Sequence, residues 1–238
     1  MTFNPLGPDL IKQFISIVGA EASLIDDESR ALYARDETED LSFPPDLILK
    51  PSTPLQVSEI LKLANTHLIP VTPRGGGTGL SGGALAVHGG IILSMERFNR
   101  ILEIDERNFQ AVIEPGVITQ TFQEAVEARG LYYPPDPASR GSCHIGGNLA
   151  ECSGGPRAVK YGVTKDYVLG IEAVLPTGEI INVGGRVLKN VSGYNLSQLI
   201  VGSEGTLAVI TKIIFRLITF PKLRKVLLVA FSSLEDAT

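Results

Sequence analysis

The sequence predicts an α+β chain, and three observations predict it. A strand, a helix and a second strand follow one another between Leu47 and Thr72, an order that sets the two strands parallel. Beyond Ile101 the strands come in adjacent pairs joined by tight turns, the order of antiparallel hairpins. Between these runs lie three glycine-rich segments, Arg74 to Gly83, Gly141 to Gly155 and Gly202 to Gly205. Such segments offer bare backbone rather than core side chains and read as binding loops.

The totals agree. The chain has 238 residues, 44% hydrophobic and 20% charged, enough for one large domain or two small ones. Its net charge is −5 and no Lys/Arg cluster makes a basic face, which argues against nucleic-acid binding. The N-terminus lacks a basic and apolar leader. No apolar run approaches the roughly 18 residues of a membrane span, so the chain is expected not to be transmembrane. The two cysteines, Cys143 and Cys152, are too few for a disulfide framework or a zinc site, and they read as small buried fillers in a reducing, cytoplasmic setting.

Taken in order, Pro8 to Val18 places Leu10, Ile11, Phe14, Ile15 and Val18 on one helical face, with Gly19 as the stop. Asp26 to Arg35 is a second short helix, and Leu47 to Leu49 a buried strand. Thr53 is a good N-cap, with Pro54 at the first helical position and Gln56 as capping-box partner, for a helix to about Asn65. Ile69 to Thr72 is the strand that enters the first glycine loop. Ile91 to Ser94, Ile101 to Asp105 and Gln110 to Glu114 are strands, and Ile118 to Arg129 is an amphipathic helix. Tyr132 to Gly162 shows no helical or strand period but is too apolar for disorder, so it reads as an ordered binding loop. Val168 to Leu175 and Glu179 to Val183 form a hairpin. Tyr194 to Val201 is a short helix and Thr206 to Leu217 a long alternating strand. Lys225 to Phe231 reads as the start of another strand, and Leu234 to Thr238 as the opening of a helix.

In the first loop, six of the eleven residues from Pro73 to Gly83 are glycine. Successive N–H groups can curl into an anion-binding concavity there. Arg74 adds a positive charge, read as phosphate neutralisation, and Thr78 and Ser81 add hydroxyls. Gly77-Thr78-Gly79-Leu80-Ser81-Gly82 matches the G-x-G-x-x-G fingerprint, which requires a helix directly after it. Only Ala84 to His88 separates the loop from Gly89-Gly90 and the next strand, so the Rossmann reading fails on spacing. No Gly-Lys pair exists, and the P-loop reading fails as well. One pyrophosphate needs one such loop; three suggest a longer ligand held along its length.

The segments PRGGGTGLSGG, PPDPASRGSCHIGGNLAECSGGPRAVKYG and VGSEGTLAVIT resemble the FAD-linked oxidase family with the vanillyl-alcohol-oxidase type of flavin fold, in the branch of glycolate oxidase flavoprotein subunits and D-lactate dehydrogenases. The resemblance covers about Leu41 to Pro221. It implies two α/β subdomains, about 41–105 and 106–221, clamping FAD after an N-terminal helical segment (1–40), with a truncated substrate or cap domain beginning at 222–238.

By the same resemblance, Pro73, Arg74, Gly75, Gly76, Gly77, Thr78, Gly79, Leu80 and Ser81 hold the FAD pyrophosphate, and Gly116, in Glu114-Pro115-Gly116, lies under the adenosine half. Pro135, Asp136, Ser139, Gly141, Ser142, Ile145, Gly146, Gly147, Asn148 and Ala150 run along the cofactor. Gly154, Gly155, Tyr161 and Gly162 continue that wall, and Glu204, Gly205, Val209 and Ile210 reach the adenine end. The first loop has no histidine of the kind that links flavin covalently in some relatives, which implies non-covalent FAD. The family's catalytic histidines belong to the cap, so the catalytic base is expected beyond Thr238, and no metal site is expected here. His144 is expected to turn its side chain away from the ligand. Lys189 to Tyr194 is either a segment near the flavin or a solvated loop capping the next helix. Asp136 and Glu204, flanked by proline or glycine, are set aside as acids or bases.

The implied activity is FAD-dependent oxidation of a 2-hydroxy acid such as glycolate or D-lactate, with electrons leaving to a quinone, a cytochrome or an iron–sulfur partner subunit, in the cytoplasm or peripheral to the inner face of a membrane. Two alternatives stay open: an FAD-binding module or subunit inactive alone, and a sugar or aldonolactone oxidase on the same flavin fold.

Overall fold

A computed structural model describes residues 3–223 and 225–237. Helix α1 (Pro8–Val18) buries Phe14 and stops at Gly19, whose φ is 89°. After strand β1 (Ser23–Leu24), helix α2 (Asp27–Tyr33) is capped by Asp26, which accepts from the Ser29 N–H at 2.8 Å. Strand β2 (Leu47–Leu49), helix α3 (Pro54–His67), and strands β3 (Val71–Arg74) and β4 (Ile91–Ser94) complete a sheet of order β1-β2-β4-β3. The expected strand–helix–strand unit is present: β2 and β3 both pair parallel with β4, which lies between them.

Local chemistry sets the ends of α3. Thr53 Oγ1 accepts from the Gln56 N–H at 3.2 Å, while Gln56 Oε1 reaches back to the Ser52 N–H at 2.8 Å, one residue before the expected partner. Leu68 adopts a left-handed cap (φ 54°), and the Ile69 N–H returns to the Ala64 carbonyl. That cap takes Ile69 out of the strand, so β3 starts at Val71 rather than Ile69.

The second sheet is antiparallel throughout, in the order β5-β6-β10-β8-β9. Its strands are β5 (Ile101–Asp105), β6 (Gln110–Ile113), β8 (Val168–Val174), β9 (Ile180–Gly184) and β10 (Val209–Arg216). Helix α4 (Thr119–Glu127) packs on it, and the strand pair β7 (Leu131–Tyr132) and β11 (Ile218–Thr219) closes one edge of the unit. Because β5 pairs with β6, the change of sheet falls between Ser94 and Ile101, before the border expected near 105.

Phe122, Tyr133 and Phe215, all fully buried, meet with ring centroids 4.8 to 5.6 Å apart and anchor the core behind this sheet. Val174 and Val209 of the second sheet share a core with Leu47 and Leu93 of the first and with Phe14 of α1 and Val57 of α3. The two units are therefore joined by packing as well as by chain.

The segment expected as an irregular loop contains two short helices, α5 (Ile145–Glu151) and α6 (Ala158–Tyr161), and α7 (Leu196–Ile200) follows β9. Residues 225–231 form no strand. Val226, Leu227 and Leu228 are 98%, 86% and 94% exposed and have no strand beside them among the described residues. The expected helical opening is a short 3-10 turn, Glu235–Ala237; Thr238, and Arg224 upstream, lie outside the described residues.

Candidate functional site: a cleft between three glycine segments

Strand β3 delivers the chain into the first glycine loop, and Arg74 holds that loop from behind. The Arg74 guanidinium donates to the Arg35 carbonyl at 2.6 Å and to the Ala84 carbonyl at 3.2 Å, and it lies 5.4 Å from the centroid of the Tyr33 ring. Burial pushes its pKa down, against the pull of Asp36 and Tyr33. Gly77, at φ 66°, sits on this guanidinium, and a Cβ there would collide with Nη2. The charge that the sequence sets beside the loop is thus engaged as a pedestal under it. We expect Arg74→Met to lower stability by about 1–2 kcal/mol, because two part-buried carbonyls lose their charged donor. Chemical denaturation of the variant checks this, and an unchanged midpoint would leave the pedestal without energetic weight.

The front of the loop is unpaired. Among the described residues, the main-chain N–H groups from Gly75 through Ser81 donate to no protein acceptor. A run of free donors on a concave backbone is suited to an anion.

Helix α5 forms the facing wall. The N–H groups of Ile145 and Gly146 donate to the Val117 and Pro115 carbonyls at 2.9 and 2.7 Å, pinning the helix start. Gly146 is a packing glycine, since its Cβ would stand 2.6 Å from Pro115 Cβ. Gly147 has no such neighbour: nothing lies within 4 Å of its Cβ position. Asn148 donates from Nδ2 to Thr119 Oγ1 at 2.6 Å, which fixes its amide. The loops touch where a Cβ on Gly76 would fall 2.6 Å from the Ser142 carbonyl oxygen. The third segment docks on α5, the Gly202 and Glu204 N–H groups donating to Leu149 and Ala150 at 2.9 and 3.0 Å. Gly205 comes against Pro73.

These segments line one open cleft. Of the residues expected to hold a ligand, Pro73, Arg74, Gly75, Gly76, Gly77, Thr78, Gly79, Ser139, Gly146, Gly147, Asn148, Ala150, Glu204, Gly205, Val209 and Ile210 line it. The others lie outside its lining. Leu80 is exposed at the lip, and Ser81 donates to Glu151 Oε1 at 3.2 Å. Gly116 packs under the Met95 and Phe98 carbonyls, and Ile145 is in the core. The Pro135 carbonyl accepts from Gln123, and Asp136 pairs with Arg157 at 3.1 Å and Arg140 at 3.4 Å. Gly141 and Ser142 are exposed in a turn. Gly154, Gly155, Tyr161 and Gly162 pack around Val163, Asp136, Tyr132 and Asp166.

The cleft also takes in residues that were not expected, among them Met95, Cys143, His144, Glu151, Ser153, Ile200 and Ser203. His144 is among the lining residues. Its Nδ1 is buried without a hydrogen-bond partner, and burial holds its pKa below the usual range. The signal for it in the sequence was its place inside the second glycine segment. Among the described residues, no group of three or more His, Cys, Asp or Glu could hold a metal ion, and no helix is long and apolar enough to cross a membrane.

Residues 45–184, which carry two of the three glycine segments, match the family model described as FAD binding domain. The chain belongs to the FAD binding domain family. The lining fits the cofactor: free N–H donors suit the pyrophosphate, and Gly147 leaves open the space that a Cβ would fill.

This FAD binding domain is similar to the glycolate oxidase subunit GlcD of Bacillus subtilis (strain 168), 44% identical over 229 residues, covering 96% of this chain and 49% of that protein. It is also similar to a D-lactate dehydrogenase of Anaerostipes hadrus, 40% identical over 235 residues, covering 98% of this chain and 49% of that one. The chain thus spans about half the length of the curated relatives it matches. Among solved structures, p-cresol methylhydroxylase with substrate bound superposes with a TM-score of 0.78 over 90% of this chain and 43% of that one. At 22% identity this likeness gives the fold, which is of the vanillyl-alcohol-oxidase type.

Proposed function

We propose that the chain is the FAD-holding part of an FAD-linked dehydrogenase or oxidase of a 2-hydroxy acid such as glycolate or D-lactate. The observation that carries this reading is the run of unpaired N–H donors from Gly75 to Gly79, lining one cleft with residues of α5 in a chain similar to a glycolate oxidase subunit and a D-lactate dehydrogenase. When bound, FAD supplies the hydride acceptor, flavin N5, for oxidation of the substrate α-carbon to a 2-oxo acid.

What the chain's own residues do is bind and orient. The N–H groups of Gly75 to Gly79 neutralise the pyrophosphate, with Arg74 keeping the loop in shape. Gly146 to Ala150 run along the cofactor, with Ser139 beside them, and Glu204, Gly205, Val209 and Ile210 close the adenine end. Val209, Ile210 and Ala208 are largely buried and keep water from that end. The base that takes the alcohol proton belongs to the part of the protein that follows 222–238, where a substrate or cap domain begins. Electrons then leave to a quinone, a cytochrome or an iron–sulfur partner subunit. Cys143 and Cys152 are both free thiols, in keeping with a cytoplasmic protein, either free or peripheral to the inner face of a membrane.

We expect non-covalent FAD, because the loop from Pro73 to Gly83 has no His, Cys or Tyr to carry a link. Acid precipitation of the reconstituted protein is expected to leave all flavin in the supernatant; yellow colour retained in the washed pellet would disprove this. Reconstitution with FAD tests the cofactor directly, and a chain that stays colourless would sink the whole reading. Steady-state assay with glycolate or D-lactate and an artificial acceptor, in the full-length protein, tests the substrate. Turnover of a sugar lactone alone would favour an aldonolactone oxidase.

A further inference from the structure

We propose that segment 33–38 is a clamp that holds the first glycine loop in its binding shape, which makes Tyr33 and Thr38 positioning residues for FAD. This rests on the FAD reading of the cleft and extends the site to residues that precede the stretch matching the FAD binding domain family, 45–184. None of residues 33–38 lines the cleft. Their action on a ligand therefore passes through the loop.

The segment leaves the end of α2 and closes on itself, the Phe43 N–H donating to the Ala34 carbonyl at 2.8 Å. Asp36 Oδ1 accepts from the Thr38 N–H at 2.9 Å and sets the turn. One end is tied to the first sheet. Tyr33 is buried, and its hydroxyl donates to Glu96 Oε2 at 2.7 Å. Glu96 is held in turn by Lys50 at 2.8 Å, just past β2, and by the Ser94 hydroxyl at 3.0 Å, at the end of β4.

From that anchor the segment grips the loop at three points. The Arg35 carbonyl accepts from the Arg74 guanidinium, which also stands over the Tyr33 ring. The Glu37 N–H donates to the Gly79 carbonyl at 3.1 Å. Thr38 Oγ1 accepts from the Gly82 N–H at 2.9 Å. The grips thus fall at both ends of the stretch from Arg74 to Gly82 and once within it. The N–H groups between them, from Gly75 through Ser81, stay unpaired. Four of those seven residues are glycine, which loses more freedom on ordering than any other residue. A loop already ordered by its neighbours loses less on binding and so binds more tightly. Gripping the loop through the Arg74 side chain, one carbonyl and one flanking N–H fixes its backbone and leaves its donors for the ligand.

The test compares Thr38→Val, which keeps the side-chain shape and removes the oxygen, with Thr38→Ser, which keeps the oxygen. FAD affinity is read by flavin fluorescence on titration, well below the melting temperature of each variant. We expect Thr38→Val to bind FAD about 5-fold more weakly, the scale of one net hydrogen bond. Thr38→Ser should stay within about 2-fold of wild type. A residue that only supports the fold lowers the melting temperature and leaves affinity unchanged; that result overturns the proposal and leaves FAD binding standing. Equal losses in Thr38→Val and Thr38→Ser are a packing effect and also overturn it. A second measurement needs no variant. In the wild type without cofactor, the Gly82 N–H should exchange with solvent at least about 10-fold more slowly than the N–H groups of Gly75 to Gly79. Equal rates mean that the clamp is open before the ligand arrives and overturn the proposal, and this comparison alone decides should Thr38→Val fail to fold. A wild type that takes up no FAD removes both this proposal and the reading beneath it.

Discussion

Gly147→Leu is expected to fold as the wild type does and to bind FAD more than roughly 100-fold more weakly, a loss of about 2.7 kcal/mol or more. The two halves of this expectation come from one observation. Nothing lies within 4 Å of the Gly147 Cβ position, so an added side chain meets no protein atom on leaving the backbone. Yet Gly147 lies within helix α5, where glycine costs roughly 1 kcal/mol relative to alanine. A glycine that the fold does not need, and that weakens its own helix, is explained by what occupies the cleft. Gly147→Ala should therefore raise the apo melting temperature, by about 2–4 °C for a chain of this size, while weakening FAD binding. Thermal unfolding without cofactor and fluorescence titration with it give the two numbers. Stability lost together with affinity would return Gly147 to a packing role.

Much of the frame was legible because its signals are local. Phe14 and its helical neighbours, Thr53 with Pro54, and the Pro176-Thr177-Gly178 turn each fix their own element, and each element is where the sequence set it. The Rossmann reading fails in the structure for the reason the spacing gave: turns, not a helix, fill the stretch from Ala84 to His88. Helix α5 was not legible. Its Gly146-Gly147 pair opposes helix formation, and the helix exists because Ile145 and Leu149 are buried and because Val117 and Pro115 accept its first N–H groups. Those partners lie some thirty residues upstream, beyond any local pattern.

The site was legible in kind more than in detail. The glycine segments announced a backbone-lined cleft, but sequence does not say to which side a strand-end residue turns. Arg74 turns to the carbonyls of Arg35 and Ala84. Nor does it separate glycines that face a ligand from glycines that face the protein.

Gly155→Ala addresses that last distinction from the other side. Gly155 stands in the same motif as Gly147, and the family resemblance sets both along the cofactor. Its φ of 126° is a conformation that an alanine adopts only under strain. A Cβ there would also run into the Asp136 carbonyl oxygen, a backbone atom that cannot swing aside. The same stretch is tied by the Asp136 N–H to the Gly154 carbonyl at 3.0 Å and by the Asp136–Arg157 pair. Strain and collision together should cost about 3 kcal/mol, a fall of roughly 6–12 °C in melting temperature. Because Gly155 does not line the cleft, FAD affinity measured well below the melting point should change by less than about 3-fold. Gly147 and Gly155 would then show opposite signatures, one in affinity and one in stability. A Gly155→Ala protein that kept its melting temperature and lost FAD would instead place Gly155 in the cofactor wall.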